Sequence, residues 1–147
     1  MSNINPTYLY WASRLVVDIA ENFGHKNVVP VERPEWLIAW AQKENTKARF
    51  NPLATTLSMP GSLRFNSAGV RDYKTLADGV KAVVETLEYG SGRGYSEIIE
   101  ELLKPDTTFE KFRSAVSRSA WSGEPRDGKH YLIPNYDPEW RNRTLPV

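Results

Sequence analysis

The sequence predicts an all-α fold: a single domain of about five helices, with a long cleft-forming loop and an irregular C-terminal tail. Apolar residues recur at three- and four-residue steps in four segments, which is typical of helices that bury one face, and a fifth segment is apolar on nearly every side. No segment shows the sustained alternation of a β-strand, and a length of 147 residues suits one core. We divide the chain into a helical domain over residues 1–123 and an extended tail over residues 124–147 that packs on the domain or on a partner.

The five predicted helices cover residues 6–23, 34–44, 75–89, 95–103 and 107–119. The second helix is apolar on nearly every side, so we expect it to be central and buried. Thr107 and Glu110 form a capping-box pattern, with Thr107 as the N-cap of the fifth helix. The glycine-rich run over residues 90–94 indicates a turn between helices. A phosphate loop would need a preceding strand and a following Gly-Lys-Ser/Thr, and neither is present.

Composition excludes several classes of function. The formal charge of +1 gives no bias towards nucleic acid or an anionic membrane, and no apolar run reaches the ~18–20 residues of a membrane span. The chain contains no cysteine, which excludes disulfides, thiol catalysis and cysteine-based zinc sites. Its two histidines show no metal-ligand spacing, so we expect no metal and no cofactor. No basic stretch precedes an apolar one near residue 1, so we expect no signal peptide.

The stretch from Glu44 to Tyr73 has neither a helical nor a strand period. Loops beyond ~12–15 residues are usually functional or disordered, and the apolar residues in this one are too many for a solvated linker. The segment from Lys43 to Lys74 carries a net charge of +4, with Arg71 among its basic residues. We therefore expect an ordered loop that builds a site. Its basic side chains, with Arg71 as a binding candidate, suit an anionic ligand or are simply solvated.

Glu44 is the candidate acid of this site. In the last turn of a buried helix its negative charge opposes the helix macrodipole, which disfavours ionisation. Desolvation by Trp40 and Phe50 is expected to raise its pKa further. A carboxyl group that stays protonated near neutral pH can protonate a glycosidic oxygen. The alternative reading of the residues is a solvated glutamate at a frayed helix end.

A glycosidase of the usual kind needs a second carboxylate. Asp72 is the first candidate because it lies in the same loop, and Asp78 and Glu85 on the third helix are further candidates. The alternative for Asp72 is a turn residue just before Tyr73.

Uncharged donors and acceptors are spread through the loop among aromatic side chains, a combination that binds sugars. The alternative for the polar ones is local turn chemistry. The candidate binding residues are Phe50, Asn51, Thr55, Thr56, Phe65, Asn66, Ser67 and Tyr73.

Four motifs follow one another along the chain: E-N-T-K-A-R-F-N-P-L-A-T-T at 44–56, F-N-S-A-G-V-R-D-Y at 65–73, G-V-K-A-V-V-E-T-L at 79–87 and S-A-W-S-G at 119–123. Together they resemble the lysozyme-like, lytic-transglycosylase-related domains of actinobacteria and their phages. The resemblance covers roughly residues 36–123 and leaves out the first helix and the tail. The chain departs from the family pattern at Asn45 and Thr46, where Gly-Gly is typical, and at Asp72, where Asn or Gln is usual.

The resemblance implies a lysozyme-like fold and cleavage of the β-1,4 bond between N-acetylmuramic acid and N-acetylglucosamine in peptidoglycan, with Glu44 as general acid. It implies that the Thr56 hydroxyl lies beside this glutamate. It also implies that Gly69 and Val70 line the cleft, with Tyr73 as a further cleft residue. Asp72 could then serve as a second catalytic carboxylate or could disturb a neutral hydrogen-bond site.

Two functions are compatible with these features. The first is a peptidoglycan hydrolase or lytic transglycosylase for phage-derived cell-wall lysis or virion-associated wall penetration, located in the virion or in the host cytoplasm before release. The second is a non-catalytic virion protein that uses the same fold for assembly or wall binding. Peptidoglycan is the expected partner, with other virion proteins docking on the tail in the second case. We expect neither nucleic acid nor membrane as a partner.

Overall fold

The computed structural model describes residues 5–90 and 92–147, and this part of the chain is mostly helical. The helices are α1 (Tyr8–Asn22), α2 (Arg33–Glu44), α3 (Leu76–Glu88), α4 (Tyr95–Leu103) and α5 (Phe109–Ser117). Two short strands, β1 (Leu63–Arg64) and β2 (Arg71–Asp72), pair in an antiparallel sheet. The predicted helical class is confirmed, with this small sheet as an addition. No helix in the described ranges has the length and apolar character that crossing a membrane requires.

Two sequence-based expectations involve residues that the structure does not describe. The expectation for the N-terminus rests partly on residues 1–4, and the predicted glycine-rich turn includes Ser91; these five residues lie outside the described residues.

Helix α2 forms the centre of the core, as its nearly continuous apolar sequence predicted. Every residue from Trp36 to Ala41 is buried. Helix α1 packs against α2, and α5 contributes Phe112, whose ring centroid lies 5.6 Å from that of Trp36 and 5.9 Å from that of Trp40. The C-terminal end of α2, and with it Glu44, therefore lies where the core meets the surface.

The predicted start of the fifth helix is wrong by one residue. Thr108 is the N-cap, and its hydroxyl accepts the Lys111 N–H at 3.3 Å. The Thr107 hydroxyl donates instead to the carboxylate of Glu101, a buried acid on α4. A hydrogen bond to a charged acceptor is stronger than the neutral bond of a local cap, so the use of the Thr107 hydroxyl in this tertiary contact is consistent with a helix start at Thr108.

The long loop is ordered around one buried hydrogen-bond network. The Asn51 amide donates to the carbonyls of Thr55 and Arg71 at 2.9 and 2.8 Å, and its oxygen accepts from the Thr55 N–H at 2.9 Å. The Tyr73 hydroxyl donates to the Leu57 carbonyl at 2.6 Å. The Thr55 hydroxyl has one hydrogen to donate, and it lies 3.0 Å from the Asn51 oxygen and 2.9 Å from the Tyr73 oxygen. Because these buried groups satisfy one another, the loop keeps one shape without a regular ladder.

The tail over residues 124–147 packs back on the helices. Thr144 forms an isolated antiparallel bridge with Thr7, and the Phe50 N–H donates to the Pro146 carbonyl at 2.9 Å. Ile133 and Leu145 are buried in the main hydrophobic core. The tail therefore shares its apolar surface with the domain.

Candidate functional site

Glu44 is the last residue of α2, and the chain turns away directly after it. Asn45 caps the helix in the left-handed conformation, with φ 44° and ψ 42°. Among residues other than glycine, asparagine adopts this conformation most readily. The Glu44 carboxyl consequently remains at the negative end of the helix macrodipole, where ionisation is disfavoured.

Two aromatic side chains lie beside the Glu44 carboxyl group. The Tyr131 hydroxyl donates to Oε2 at 2.5 Å, and Trp121 lines the same cavity as Glu44. Burial raises the pKa of Glu44 above its usual range, and the hydrogen bond from Tyr131, the charge of Lys43 and the neighbouring Trp121 offset only part of this effect. The expected direction of the pKa shift is confirmed.

Phe50, which we expected beside Glu44, is not among the described residues that line the Glu44 cavity. Its ring lines a separate cavity of about 620 Å³ at the starts of α1 and α3. The aromatic rings beside Glu44 come instead from Trp121 and Tyr131. The expectation relied on proximity along the chain, whereas the left-handed backbone at Phe50, with φ 51°, accompanies a change of direction of the loop.

A cavity of about 250 Å³ opens beside Glu44. The rings of Tyr95 and Trp121, 5.6 Å apart between centroids, provide aromatic surface. Hydroxyl groups lie close by, and an aromatic ring next to hydroxyls suits a sugar. The residues that line the cavity are Glu44, Ala54, Thr55, Thr56, Thr86, Tyr95, Ala120 and Trp121.

The chemistry that these side chains offer is proton transfer from one carboxyl group next to a binding surface for a neutral ring. Within residues 5–90 and 92–147, no group of three or more histidine or acidic side chains could hold a metal ion.

Asp72 lies at the far end of the loop from Glu44 along the chain. Its Oδ1 accepts the Arg49 N–H at 2.7 Å, and its backbone pairs with Leu63 in the small sheet. In the described part of the chain, Asp72 is not among the residues that line the Glu44 cavity. The structure thus brings Asp72 to the backbone of Arg49, where it closes the loop.

The other two acidic candidates lie on α3. Asp78 stands in the first turn of this helix, and its N–H donates to the N-cap Thr75 at 3.1 Å. Glu85 pairs with Lys81 at 3.9 Å on the same helix. Neither is among the described residues that line the Glu44 cavity.

Three of the candidate binding residues are buried inside the loop and form hydrogen bonds that hold it together. Asn51, Thr55 and Tyr73 are buried and bonded to one another in the network described above. Thr55 also reaches the cavity wall, and its neighbour Thr56 is exposed there. Of the polar loop candidates, Thr56 is therefore the one that is exposed at the wall of the Glu44 cavity.

The remaining loop candidates belong to the β1–β2 hairpin. Asn66 Oδ1 accepts the Val70 N–H at 3.0 Å, and the Arg71 guanidinium donates to the carbonyl and hydroxyl oxygens of Ser62. Gly69 has a φ of 88°, and a Cβ placed on it would lie 4.0 Å from the Thr56 methyl group. The hairpin therefore comes close to the Glu44 cavity through Gly69. The side chains of Phe65 and Ser67 on the same hairpin are exposed.

Sequence reasoning missed Tyr131, Tyr95 and Thr86, and it assigned no role to Trp121. The one available signal was the aromatic content of the tail and the place of Trp121 in the fourth motif. No local spacing relates residue 131 to residue 44, because the contact depends on how the tail folds back over α2.

Comparisons of the chain with protein-family models, with curated proteins and with solved structures found no match.

Proposed function

We propose that the protein cleaves the glycan strand of peptidoglycan at the β-1,4 bond between N-acetylmuramic acid and N-acetylglucosamine, with Glu44 as general acid. The observation that carries this proposal is a partly buried carboxyl group with a raised pKa at the wall of an aromatic and hydroxyl-lined cavity. A neutral carboxyl group at such a place can protonate the oxygen of a bound glycoside. A lysozyme-like arrangement of the five helices is part of the same proposal.

The mechanism that fits one carboxyl group at the cavity is that of a lytic transglycosylase. Glu44 transfers its proton to the glycosidic oxygen, and the bond to the muramyl C1 breaks with an oxocarbenium-like transition state. The Glu44 carboxylate then accepts the proton of the muramyl 6-hydroxyl as this oxygen attacks C1, which yields an anhydro end. If water attacks instead, the product has a reducing end.

The charge of the loop supports a wall polymer as the substrate. The segment from Lys43 to Lys74 has a net charge of +4, while the rest of the chain sums to −3. Peptidoglycan carries lactyl and peptide carboxylates, which a basic surface attracts. A role in wall lysis or in wall penetration from a phage particle follows from this substrate class.

The test is a turbidity or zymogram assay on actinobacterial cell walls with the wild type, Glu44→Gln and Asp72→Asn. We expect Glu44→Gln to lose about 10²–10⁴-fold in rate, since the amide cannot act as an acid. Asp72→Asn is the matched control: it removes another loop carboxylate, but its amide oxygen can still accept the Arg49 N–H. Equal activity of the wild type and Glu44→Gln would contradict the assignment of Glu44.

The mass of the released muropeptides separates the two product chemistries. An anhydro end supports the single-carboxylate route, whereas a reducing end assigns the attack to water. A loss of activity in Asp72→Asn as large as that in Glu44→Gln would make Asp72 a second catalytic carboxylate.

A second candidate function is a non-catalytic virion protein that binds the wall or other virion proteins. The observation in its favour is that the tail places Tyr131 directly on Glu44, so the carboxyl group has a structural partner without any substrate. This function predicts wall binding in a sedimentation assay by both the wild type and Glu44→Gln, with no muropeptide release by either.

A further inference from the structure

The side chain of Gln42, near the end of α2, forms two hydrogen bonds with the backbone of the C-terminal tail. The Gln42 amide group donates to the Asn135 carbonyl at 3.0 Å and accepts the Asp137 N–H at 2.9 Å. Ile133, between this clamp and Tyr131, is 1% exposed and belongs to the main core. The position of Tyr131 over Glu44 is therefore set by packing and by two hydrogen bonds other than its own.

The hydrogen bonds at Tyr131 have a defined direction. The Trp40 indole N–H is a donor only, and it lies 3.2 Å from the Tyr131 oxygen, which must accept it. The hydroxyl hydrogen of Tyr131 is then directed to Glu44 Oε2 at 2.5 Å. Two consecutive hydrogen bonds therefore run from the Trp40 indole through the Tyr131 hydroxyl to one oxygen of the Glu44 carboxyl group.

We propose that the tail completes the site and that Tyr131 is a positioning residue for Glu44. By donating to Oε2, it holds the carboxyl group in one orientation and leaves Oε1 to carry the proton that Glu44 transfers. When this proton has left, the same O–H bond stabilises the carboxylate without giving up its own proton. This inference rests on the proposed function, and it extends the site to a segment outside the motifs that suggested that function.

The groups around the Glu44 carboxyl group come from several parts of the chain. Lys43 on α2 faces both partners, with its Nζ 5.2 Å from the centre of the Tyr131 ring and its charge acting on Glu44. Trp121 and Tyr95, the latter on α4, line the same cavity as Glu44. Burial and the charge of Glu44 both raise the pKa of Tyr131, so its hydroxyl stays protonated across the working pH range.

The experiment compares the wild type with Tyr131→Phe and Tyr136→Phe. Tyr136 is a matched control because it lies in the same tail and its buried hydroxyl has no partner among the described residues. In Tyr131→Phe we expect kcat to fall about 10–100-fold with KM changed less than about threefold, since a misoriented catalytic group is costly. The basic limb of the pH profile should move to higher pH, because a hydrogen bond that favours the charged form of Glu44 is lost. Tyr136→Phe should leave both unchanged.

A titration of the Glu44 side-chain carbon by NMR tests the contact without any substrate. We expect its midpoint to rise in Tyr131→Phe and to stay in place in Tyr136→Phe. An unchanged midpoint in Tyr131→Phe overturns the inference whether or not the protein lyses walls. A raised midpoint with unchanged kcat overturns the positioning role.

Two further outcomes separate this inference from the proposed function. Failure of the wild type to release muropeptides contradicts the proposed function, whereas the titration still reports the contact between Tyr131 and Glu44. Unfolding of Tyr131→Phe overturns the inference, since the hydroxyl would then hold the fold of the tail instead of the orientation of one carboxyl group.

Discussion

At the scale of single residues, Glu44 combines influences of opposite sign. Burial and the negative end of α2 favour its neutral form, while Tyr131, Trp121 and Lys43 favour the carboxylate. The net effect is a raised pKa, and a group of this kind lowers the stability of the folded state at neutral pH. Such a residue is typical of a site where function is kept at the expense of stability.

This balance predicts a stabilising substitution. Because the folded state holds the Glu44 proton more tightly than the unfolded state does, Glu44 reduces stability as pH rises above the ordinary glutamate pKa of about 4.3. The reduction is complete once pH exceeds the raised pKa of the folded state. We expect Glu44→Gln to be more stable than the wild type at pH 7 by about 0.5–2 kcal/mol.

Thermal unfolding from pH 3.5 to 8 measures this effect. The advantage of Glu44→Gln should be small below about pH 4 and should grow with pH, at roughly 2–4 °C in Tm per kcal/mol for a chain near this size. A constant difference across the range would show that the carboxylate is not the source.

At the scale of elements, the backbone of the long loop packs closely against helix α3 at Gly79. The Phe50 carbonyl lies so close to α3 that a Cβ placed on Gly79 would be 1.9 Å from its oxygen. Gly79 thus permits the loop to approach α3 backbone to backbone. The helices were predicted to within about two residues because their apolar periods and caps are local, whereas this approach leaves no periodic signal in the sequence.

We expect Gly79→Ala to destabilise the protein by about 1–3 kcal/mol, because the added methyl group forces the loop away from α3. In an open helix interior the same change would stabilise by about 1 kcal/mol through helix propensity. Urea unfolding of Gly79→Ala measures the difference. Ala77→Gly, at an exposed position on the same helix, is the control and should lose only about 0.5–1 kcal/mol. A stabilising Gly79→Ala would contradict the close approach.

At the scale of the whole molecule, the two ends of the described chain meet. The Leu145 N–H donates to the Pro6 carbonyl at 2.9 Å, and the Tyr8 N–H donates to the Arg143 carbonyl at 3.0 Å, so the tail runs along the start of α1. Leu145 is 2% exposed and belongs to the main hydrophobic core, together with the buried residues of α2. The tail is therefore held by the same hydrophobic burial that holds the helices.

This arrangement predicts that the tail contributes to global stability. Leu145→Ala should cost about 2–5 kcal/mol, the usual loss for a buried leucine. Leu132→Ala, which changes an exposed leucine in the same tail, should stay within about 0.5 kcal/mol. Equal effects of the two substitutions in urea unfolding would mean that the tail is docked without being part of the core.

The sequence alone determined the helical class, the burial of α2 and the position of Glu44 at the end of that helix. These features follow from local periodicity and from the dipole of one element. Tertiary structure decided which groups meet Glu44: Tyr131 comes to it from the tail, while Asp72 turns to the Arg49 N–H and Phe50 lines another cavity. Contacts between residues far apart in the chain depend on how loop and tail pack on the helices, and no spacing in the sequence records that packing.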